Sequence, residues 1–486
     1  MNEINTIKYK QLKSLFYPEH IAFIGASETS AFGAMLYLPD FKNSKWADKF
    51  YPINPNHEEI LGWKCYPSVL DVPFPIDTAY ISLKTKIIPS ILRECVQKNI
   101  KWVIIFASGF SETRSSRGRE LEEELLQIIK DSQTRIIGPN CLGPYNGTTG
   151  MAFSFASSPK SGGISFMSQS GGHLSRLLDT GVKRDLRFRY GISFGNQIDV
   201  NCVDFLHFFR KDPKTKLIAA YLESFGSSKG HRFFEELKKT AGIKPVIIWK
   251  GGHTKMGARA AFSHTGALAS DFRMWKAMIK QTGAILVQNN EEFWNVIKTF
   301  ELVPQENLPK GRNISIITPG GGSSVNMTDL FSTHNLNVPV LSEKTQMKLS
   351  KILPKENVII HNPIDLGAAG FIIDVYIKCI EVVMQDPFIN MIVLPLWPHH
   401  IFRYVFKRMI MLQKKTKKVF AFCLPSLADS ADLAKKFERV KKILHKERSL
   451  YYFSLKEAAN SLNLLCNYKE YLNMHRDLEV QNNKKD

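Results

Sequence analysis

The chain has 486 residues, 44% of them hydrophobic and 11% aromatic, enough for roughly three domains of ~150 residues and a composition that excludes disorder. No apolar run reaches the ~18 residues of a spanning helix and Met1-Asn-Glu-Ile-Asn5 opens no signal peptide, so a cytoplasmic protein is expected. A net charge of +20 invites an acidic partner, but no basic stripe interleaved with aromatics and no nucleic-acid motif accompanies it, so nucleic acid is not expected.

The first element is His20-Ile-Ala-Phe-Ile-Gly25-Ala-Ser27, a short apolar strand running into a Gly-x-Ser turn, with Gly33 and Met35-Leu36 beyond it. A glycine in the first βα turn of a Rossmann-like unit lets backbone N–H groups reach a phosphate near a helix N-terminus. The full G-x-G-x-x-G is missing, so the nucleotide signal is weak. The next strand, Phe50-Tyr-Pro-Ile-Asn54-Pro55, ends without the Asp or Glu that would hold the ribose of NAD. Strand Trp102-Val-Ile-Ile-Phe106 leads to Ser108-Gly109-Phe110-Ser111-Glu112, and Arg135-Ile-Ile leads to Gly138-Pro139-Asn140-Cys141. Gly-Pro-Asn reads as a rigid turn. Cys141 reads as a buried apolar cysteine with no catalytic role.

A second α/β unit follows. Gly163-Ile-Ser-Phe-Met167 is a strand, and Ser168-Gln169-Ser170-Gly171-Gly172 opens the helix after it. Hydroxyls and glycines at a helix start cap it, and they also make an anion site; both readings stand. After the turn Ser193-Phe-Gly195-Asn196-Gln-Ile-Asp199, strand Leu217–Leu222 delivers Glu223 at its carboxyl end, a position equally ordinary for a helix cap or a solvated carboxylate. Strand Lys244-Pro-Val-Ile-Ile-Trp249 leads into the loop 257–270, and a helix starts near Asp271. That loop lies where open α/β sheets place ligands. Ala260, Ala261, Ser263, Thr265, Gly266 and Ala267 crowd around His264, letting backbone amides approach an anion and leaving the ring room to react. His173 and His253, also near glycines, are read as structural.

The third unit begins after a polar linker, Pro309-Lys-Gly-Arg312. Strand Asn313–Thr318 runs into Pro319-Gly-Gly-Gly322 and a helix from Ser323, without the Gly-Lys-Ser/Thr of a Walker loop. Met391–Pro395 and Lys418–Phe422 are further strands. The seven Lys/Arg between Asp386 and Asp429, with no carboxylate among them, mix with Phe, Ile, Met and Leu at helical spacing and read as a solvated helix face. A helix from Leu455 closes the unit, and the charged tail from Met474 is expected to be loose. Seven cysteines occur singly with no C-x-x-C, so neither a disulfide framework nor a metal site is expected.

Ser263-His264-Thr265-Gly266-Ala267-Leu268-Ala269 resembles the phosphohistidine loop of the NDP-forming acyl-CoA synthetases, which comprise the ADP-forming acetyl-CoA synthetases and, more distantly, the α subunit of succinyl-CoA synthetase. The resemblance runs from about residue 12 to about 470, through Asn54-Pro55, Tyr66-Pro-Ser68, the Gly138-Pro-Asn-Cys141 loop, the Gly195-Asn-x-x-Asp199 turn and Asn362-Pro-Ile-Asp-Leu366. It implies an α/β protein with a Rossmann-like CoA-binding domain (12–150), a flavodoxin-like domain carrying the phosphohistidine loop (151–305), a second flavodoxin-like domain (310–472) and a charged tail (473–486). It implies that coenzyme A meets Gly25, Ser27, Gly33, Asn54, Pro55, Ser108, Gly109, Pro139, Asn140 and Cys141. His264 would carry the phosphoryl group, Glu223 would bond its ring, and Ser170, Gly171, Thr265 and Gly266 would hold the phosphate.

Two departures stand out: Leu83-Lys84-Thr85 replaces the family's Val-Pro-Ala beside the adenine, and Ser270 stands where glycine is more usual. The family's ATP-grasp domain has no counterpart in the sequence. ADP/ATP and Mg²⁺ are therefore expected on a separate ATP-grasp β subunit of a hetero-oligomer, and no metal on this chain. A non-catalytic CoA-binding or regulatory protein, akin to the synthetase-like arm of some protein acetyltransferases, is the main rival. His264, Glu223 and Ser170 standing together weigh against it, and Asn54 weighs against a nicotinamide-dependent dehydrogenase. The acyl group has no sequence signature.

Overall fold

The computed structural model describes residues 7–29, 45–151, 161–226, 229–259, 271–356, 358–396, 403–424 and 431–482. One strand order recurs three times in it. In the first sheet, β1 (Ile21–Ile24), β2 (Phe50–Ile53), β5 (Thr78–Ile81), β6 (Trp102–Ile105) and β7 (Arg135–Ile137) lie in the order β2-β1-β5-β6-β7. All four pairings are parallel. The runs Ile-Ala-Phe-Ile and Trp-Val-Ile-Ile are buried at every position, as strands covered by helices on both faces must be. The helices supply that cover from one stripe each: Ile88, Leu92 and Cys95 in Ile88–Gln97, and Leu121, Leu125 and Ile129 in Ser116–Ile129, are buried at helical spacing. Between β2 and β5, β3 (Glu59–Ile60) and β4 (Trp63–Lys64) form a small antiparallel pair.

The second sheet comprises β8 (Gly143–Asn146), β9 (Ile164–Ser168), β10 (Phe188–Ser193), β11 (Leu217–Leu222), β12 (Val246–Lys250) and β13 (Ile285–Val287), in the order β13-β12-β11-β9-β10-β8. Its core repeats the first sheet's order, and β8 is added antiparallel to β10 at the edge. β8, just before the expected boundary at residue 150, thus pairs with the second sheet. The third sheet, β15-β14-β16-β17-β18, is built from β14 (Ile314–Thr318), β15 (Ile364–Asp365), β16 (Met391–Pro395), β17 (Val419–Cys423) and β18 (Tyr451–Tyr452). In each sheet the order reverses once, between β1 and β5, β9 and β11, and β14 and β16, which opens a crevice beyond the strands' carboxyl ends.

The first two sheets belong to one compact unit ending at Asn289, and the third to another beginning at Asn290. Within the first unit a single core draws on both sheets, from Phe23 and Trp102 to Phe194 and Ile218. The helix Asn290–Leu302 lies in the second unit. There Asn460 Nδ2 donates to Glu292 (2.8 Å) and Arg448 donates to Glu301 (3.0 Å). The expected linker at 309–312 is likewise interior to that unit. Arg312 forks onto both oxygens of Glu470 (2.7 and 2.6 Å) and reaches Asn463 and Asn467 (2.8 and 2.6 Å). The helix those partners stand on, Leu455–Asn482, also overturns the loose tail: it continues through Met474 to Asn482, because Leu, Glu and Arg sustain a helix already nucleated by its buried first half. No helix among the described residues is long and apolar enough to cross a membrane.

Candidate active site

The carboxyl edge of the first sheet gathers most of the residues assigned to CoA. Gly25 has φ +90°, and a Cβ there would stand 2.4 Å from Ser82 O, so only glycine fits between β1 and the loop after β5. Asn54, half-buried, donates from Nδ2 to Ala26 O (2.8 Å) and accepts the amide of Asn56 on Oδ1 (3.0 Å). Its side chain is thus spent on holding two turns together, with Pro55 exposed beside it. Ser27 takes the amide of Thr29 (3.2 Å). Thr85, one of the departures noted above, donates to Ser108 O (2.8 Å) and lies 2.9 Å from where a Cβ on Gly109 would sit. Asn140, in the left-handed region, donates its amide to Ala107 O (3.0 Å).

Cys141 is buried, and its thiol faces the carbonyls of Ile105 and Ile137 (3.6 and 3.5 Å). Burial pushes its pKa up to about 12, so its side chain is core and a ligand would meet the peptide units of this loop instead. Pro139 is buried with it. Gly33 lies outside the described residues.

The second sheet grips this edge through the turn 195–199. A Cβ on Gly195 (φ +50°) would stand 2.0 Å from Pro139 O and 2.4 Å from Asn140 O. Asn196 donates its amide to Pro139 O (3.0 Å) and its Nδ2 to both Glu112 (2.7 Å) and Glu122 (2.8 Å). Burial raises the pKa of Glu122. Asp199 closes the turn on Arg135. Each member of the Gly-Asn-x-x-Asp motif is therefore a fastener between the two sheets.

The crevice between β9 and β11 holds the other assigned residues. Ser170 caps the helix Gly171–Lys183, accepting the amide of His173 on Oγ (3.4 Å). By helix geometry the amides of Gly171 and Gly172 have no intrahelical acceptor, and a bound anion would find them there. Gly171 also admits close packing, since its Cβ would stand 2.8 Å from Leu142 Cγ. Across the crevice, Glu223 follows β11, whose Tyr221 pairs with Ser168 of β9. Glu223 is only 6% exposed. Tyr221 Oη donates to its Oε1 (3.2 Å), while its Oε2 is buried and has no partner among the described residues. His264, Thr265 and Gly266 lie outside the described residues.

Sequence reasoning missed three residues here: Gln169, Tyr221 and Lys250. Gln169 accepts the amides of Glu223 (2.8 Å) and Ser224 (2.9 Å) on Oε1 and donates from Nε2 to Ser224 Oγ (3.1 Å), fixing the backbone that carries the carboxylate. Tyr221 donates to the carboxylate itself. His173, read as structural, packs its ring on Tyr221, with centroids 4.2 Å apart. Lys250 ends β12 opposite Leu222 at 1% exposure, and its Nζ donates to Gly251 O 5.5 Å from the Trp275 ring. Burial lowers its pKa to about 8 against the opposing pull of Glu223. The alternation of side chains along β11 puts Tyr221 and Glu223 on one face and was the available signal; nothing local marks Gln169.

Comparison with known proteins gives this crevice a context. Residues 19–146 match a CoA binding domain, and residues 161–300 match a succinyl-CoA ligase-like flavodoxin domain. The chain is 35% identical over 384 residues to the α subunit of ADP-forming acetate–CoA ligase II of Pyrococcus furiosus, covering 79% of this chain and 81% of that one. The chain belongs to the ADP-forming acyl-CoA synthetase family. With ADP-forming acetate–CoA ligase II of Archaeoglobus fulgidus it shares 34% identity over 429 residues, 86% of this chain but 62% of that protein. It spans 49% of the corresponding ligase of Methanocaldococcus jannaschii. An acetyl-coenzyme A synthetase of Ca. Korarchaeum cryptofilum, solved in complex with phosphate and ADP, superposes with a TM-score of 0.82 at 28% identity, over 96% of this chain and 98% of that one.

Within this family member, the CoA-type sheet and the crevice carrying Glu223 and Ser170 are fastened into one compact unit by the 195–199 turn.

Proposed function

We propose that the chain is the CoA-binding α subunit of an ADP-forming acyl-CoA synthetase, interconverting acyl-CoA, ADP and phosphate with a carboxylic acid, CoA and ATP. One observation carries the reading: a buried carboxylate, Glu223, with one oxygen bonded and the other unsatisfied among the described residues, at the switch point beside a Ser170-capped helix start. A buried acceptor of that kind needs a donor, and an imidazole N–H supplies one.

In the reading, phosphate oxygen attacks the thioester carbonyl, the C–S bond breaks, and CoA leaves as the thiolate, giving an acyl phosphate. His264 then attacks phosphorus with the ring nitrogen opposite the one bonded to Glu223. The acyl–O–P bond breaks, the carboxylate leaves, and the proton shared with Glu223 Oε2 offsets the charge gained by the ring. The helix-start amides of Gly171 and Gly172, together with Thr265 and Gly266, meet the phosphoryl oxygens, where a fixed positive dipole needs no reorganisation. The phosphoryl group passes to ADP, held with Mg²⁺ on an ATP-grasp β subunit. Gly25, Ser27, Gly33, Asn54, Pro55, Ser108, Gly109, Pro139, Asn140 and the backbone of Cys141 form the CoA edge, in a cytoplasmic enzyme.

The test is phosphoenzyme formation. Acyl-CoA and radioactive phosphate, without nucleotide, should label the chain with an acid-labile, alkali-stable phosphate. His264→Ala should remove the label, and a His264→Ala chain that labels fully overturns the reading.

A further inference from the structure

We propose that Tyr221 is a positioning residue for Glu223: it anchors one carboxylate oxygen so that the other is presented to the reacting imidazole. The inference rests on the phosphohistidine reading above and names the device that makes its carboxylate directional.

A free carboxylate at a strand end rotates about its last bond, and its two oxygens are equivalent. Here they are not. Alternation along β11 places Tyr221 and Glu223 on the same face, and the Tyr221 hydroxyl donates to Oε1 at 3.2 Å. Oε2 is buried without a partner among the described residues. Leaving a charged acceptor unsatisfied in the interior is costly unless a donor arrives. With Oε1 already taken, the oxygen that must receive that donor is Oε2.

The rest of the surroundings immobilise the pair. Gln169 holds Glu223 by its backbone amide at 2.8 Å and donates its own amide to Tyr221 O at 3.1 Å. The Tyr221 ring packs against both His173 (centroids 4.2 Å) and Trp249 (5.2 Å), whose rings also meet each other at 5.3 Å. Burial and the neighbouring carboxylate push the Tyr221 pKa up, so the phenol stays protonated as a donor.

Gly251 makes the room. A Cβ there would stand 2.6 Å from Tyr221 Oη and 3.2 Å from Glu223 Cγ. Gly251 is not among the glycines with positive φ, so what the position requires is space and not a special backbone. A side chain at 251 would strike both members of the pair at once.

Single-turnover labelling with acyl-CoA and radioactive phosphate tests this by a double-mutant cycle. Tyr221→Phe keeps the packed ring and removes the hydrogen bond. It should slow labelling by roughly 10- to 100-fold, the range for a hydrogen bond to a charged group, with the acyl-CoA concentration at half-saturation unchanged. In a Glu223→Gln background the same change should cost almost nothing more, because the charge that Tyr221 orients has gone. Gly251→Ala, which retains both groups but displaces them, should slow labelling comparably while the thermal melt stays two-state.

If Tyr221→Phe labels at the wild-type rate, or its loss multiplies fully with that of Glu223→Gln, Tyr221 is only packing and the inference falls while the phosphohistidine reading survives. A wild-type chain that takes no label brings down that reading, and this inference with it.

Discussion

Arg135, the first residue of β7, closes two hydrogen bonds on the carboxylate of Asp199, at 2.8 and 2.5 Å, and Asp199 also accepts the amide of Ile136 at 2.9 Å. The strand belongs to the CoA-type sheet and the aspartate to the turn that follows β10. The Asp199 side chain is 12% exposed and that of Arg135 26%, so the pair is largely withdrawn from water. Bidentate geometry of this kind fixes orientation as well as energy.

Asp199→Asn should therefore destabilise the first unit by about 3 kcal/mol, the lower end for breaking a buried pair, because a guanidinium is left with its partner's charge removed. Urea unfolding measures the loss. A change under about 0.5 kcal/mol, the ordinary range for surface substitutions, would mean that this ion pair adds nothing to the hold between the two sheets.

This relationship also marks the limit of what the sequence discloses. Strands such as Trp102–Ile105 and Leu217–Leu222 were legible because they are apolar on both faces, and Ser170 announced its helix by its residue type; Phe188–Ser193, with Arg189 and Gly191 in it, carries no such run and was not read. Sixty-four positions separate Arg135 from Asp199, and no local pattern pairs them. The same holds for Gln169 and Glu223, whose contact exists only because β9 and β11 are neighbours. Asn54 and Asp199 were visible as motif members, but their hydrogen bonds show them to be fasteners. That the helix Asn290–Leu302 packs on Leu455–Asn482 could not be read from the sequence, since an amphipathic stripe does not name the surface it will cover.

The first sheet should take CoA in preference to NAD. Titration calorimetry with each ligand compares them, and binding of NAD without CoA would overturn the assignment. Dephospho-CoA should bind more weakly than CoA if a cation of this +20 chain meets the 3′-phosphate. Equal affinities would leave that phosphate in solvent.

Lys250 gives a pH signature. Its folded pKa of about 8 lies below the ordinary 10.5, so between those values the unfolded chain binds more protons and stability rises with pH. Below pH 8 the amine is charged in both states and the full cost of burying it is present. Lys244, also lowered to about 8 by burial, adds to the same window. Lys250→Met should raise the urea midpoint at pH 7 and flatten part of the rise between pH 8 and 10.5. An unchanged slope would show that the amine is paired or hydrated in solution.

The purified chain should make no ATP from acyl-CoA, phosphate and ADP until an ATP-grasp subunit is added. Luciferase detection follows the product directly. ADP-dependent turnover by the chain alone would reveal a nucleotide site within it.

The phosphate cradle and the carboxylate should separate kinetically. Glu223→Gln keeps a hydrogen-bonding side chain of the same shape but removes the charge that supports the imidazolium, so phosphoenzyme labelling should slow by ~10²–10⁴ yet persist. Ser170→Ala removes only an Oγ that already caps the amide of His173 at 3.4 Å, while the helix-start amides of Gly171 and Gly172 remain. It should cost helix stability of about 1 kcal/mol and less labelling rate than Glu223→Gln. The two losses are read in one quench-flow series, with melts alongside. If Ser170→Ala proves the slower variant with an unchanged melt, the hydroxyl itself contacts the moving phosphoryl group, and its capping bond must break when phosphate binds.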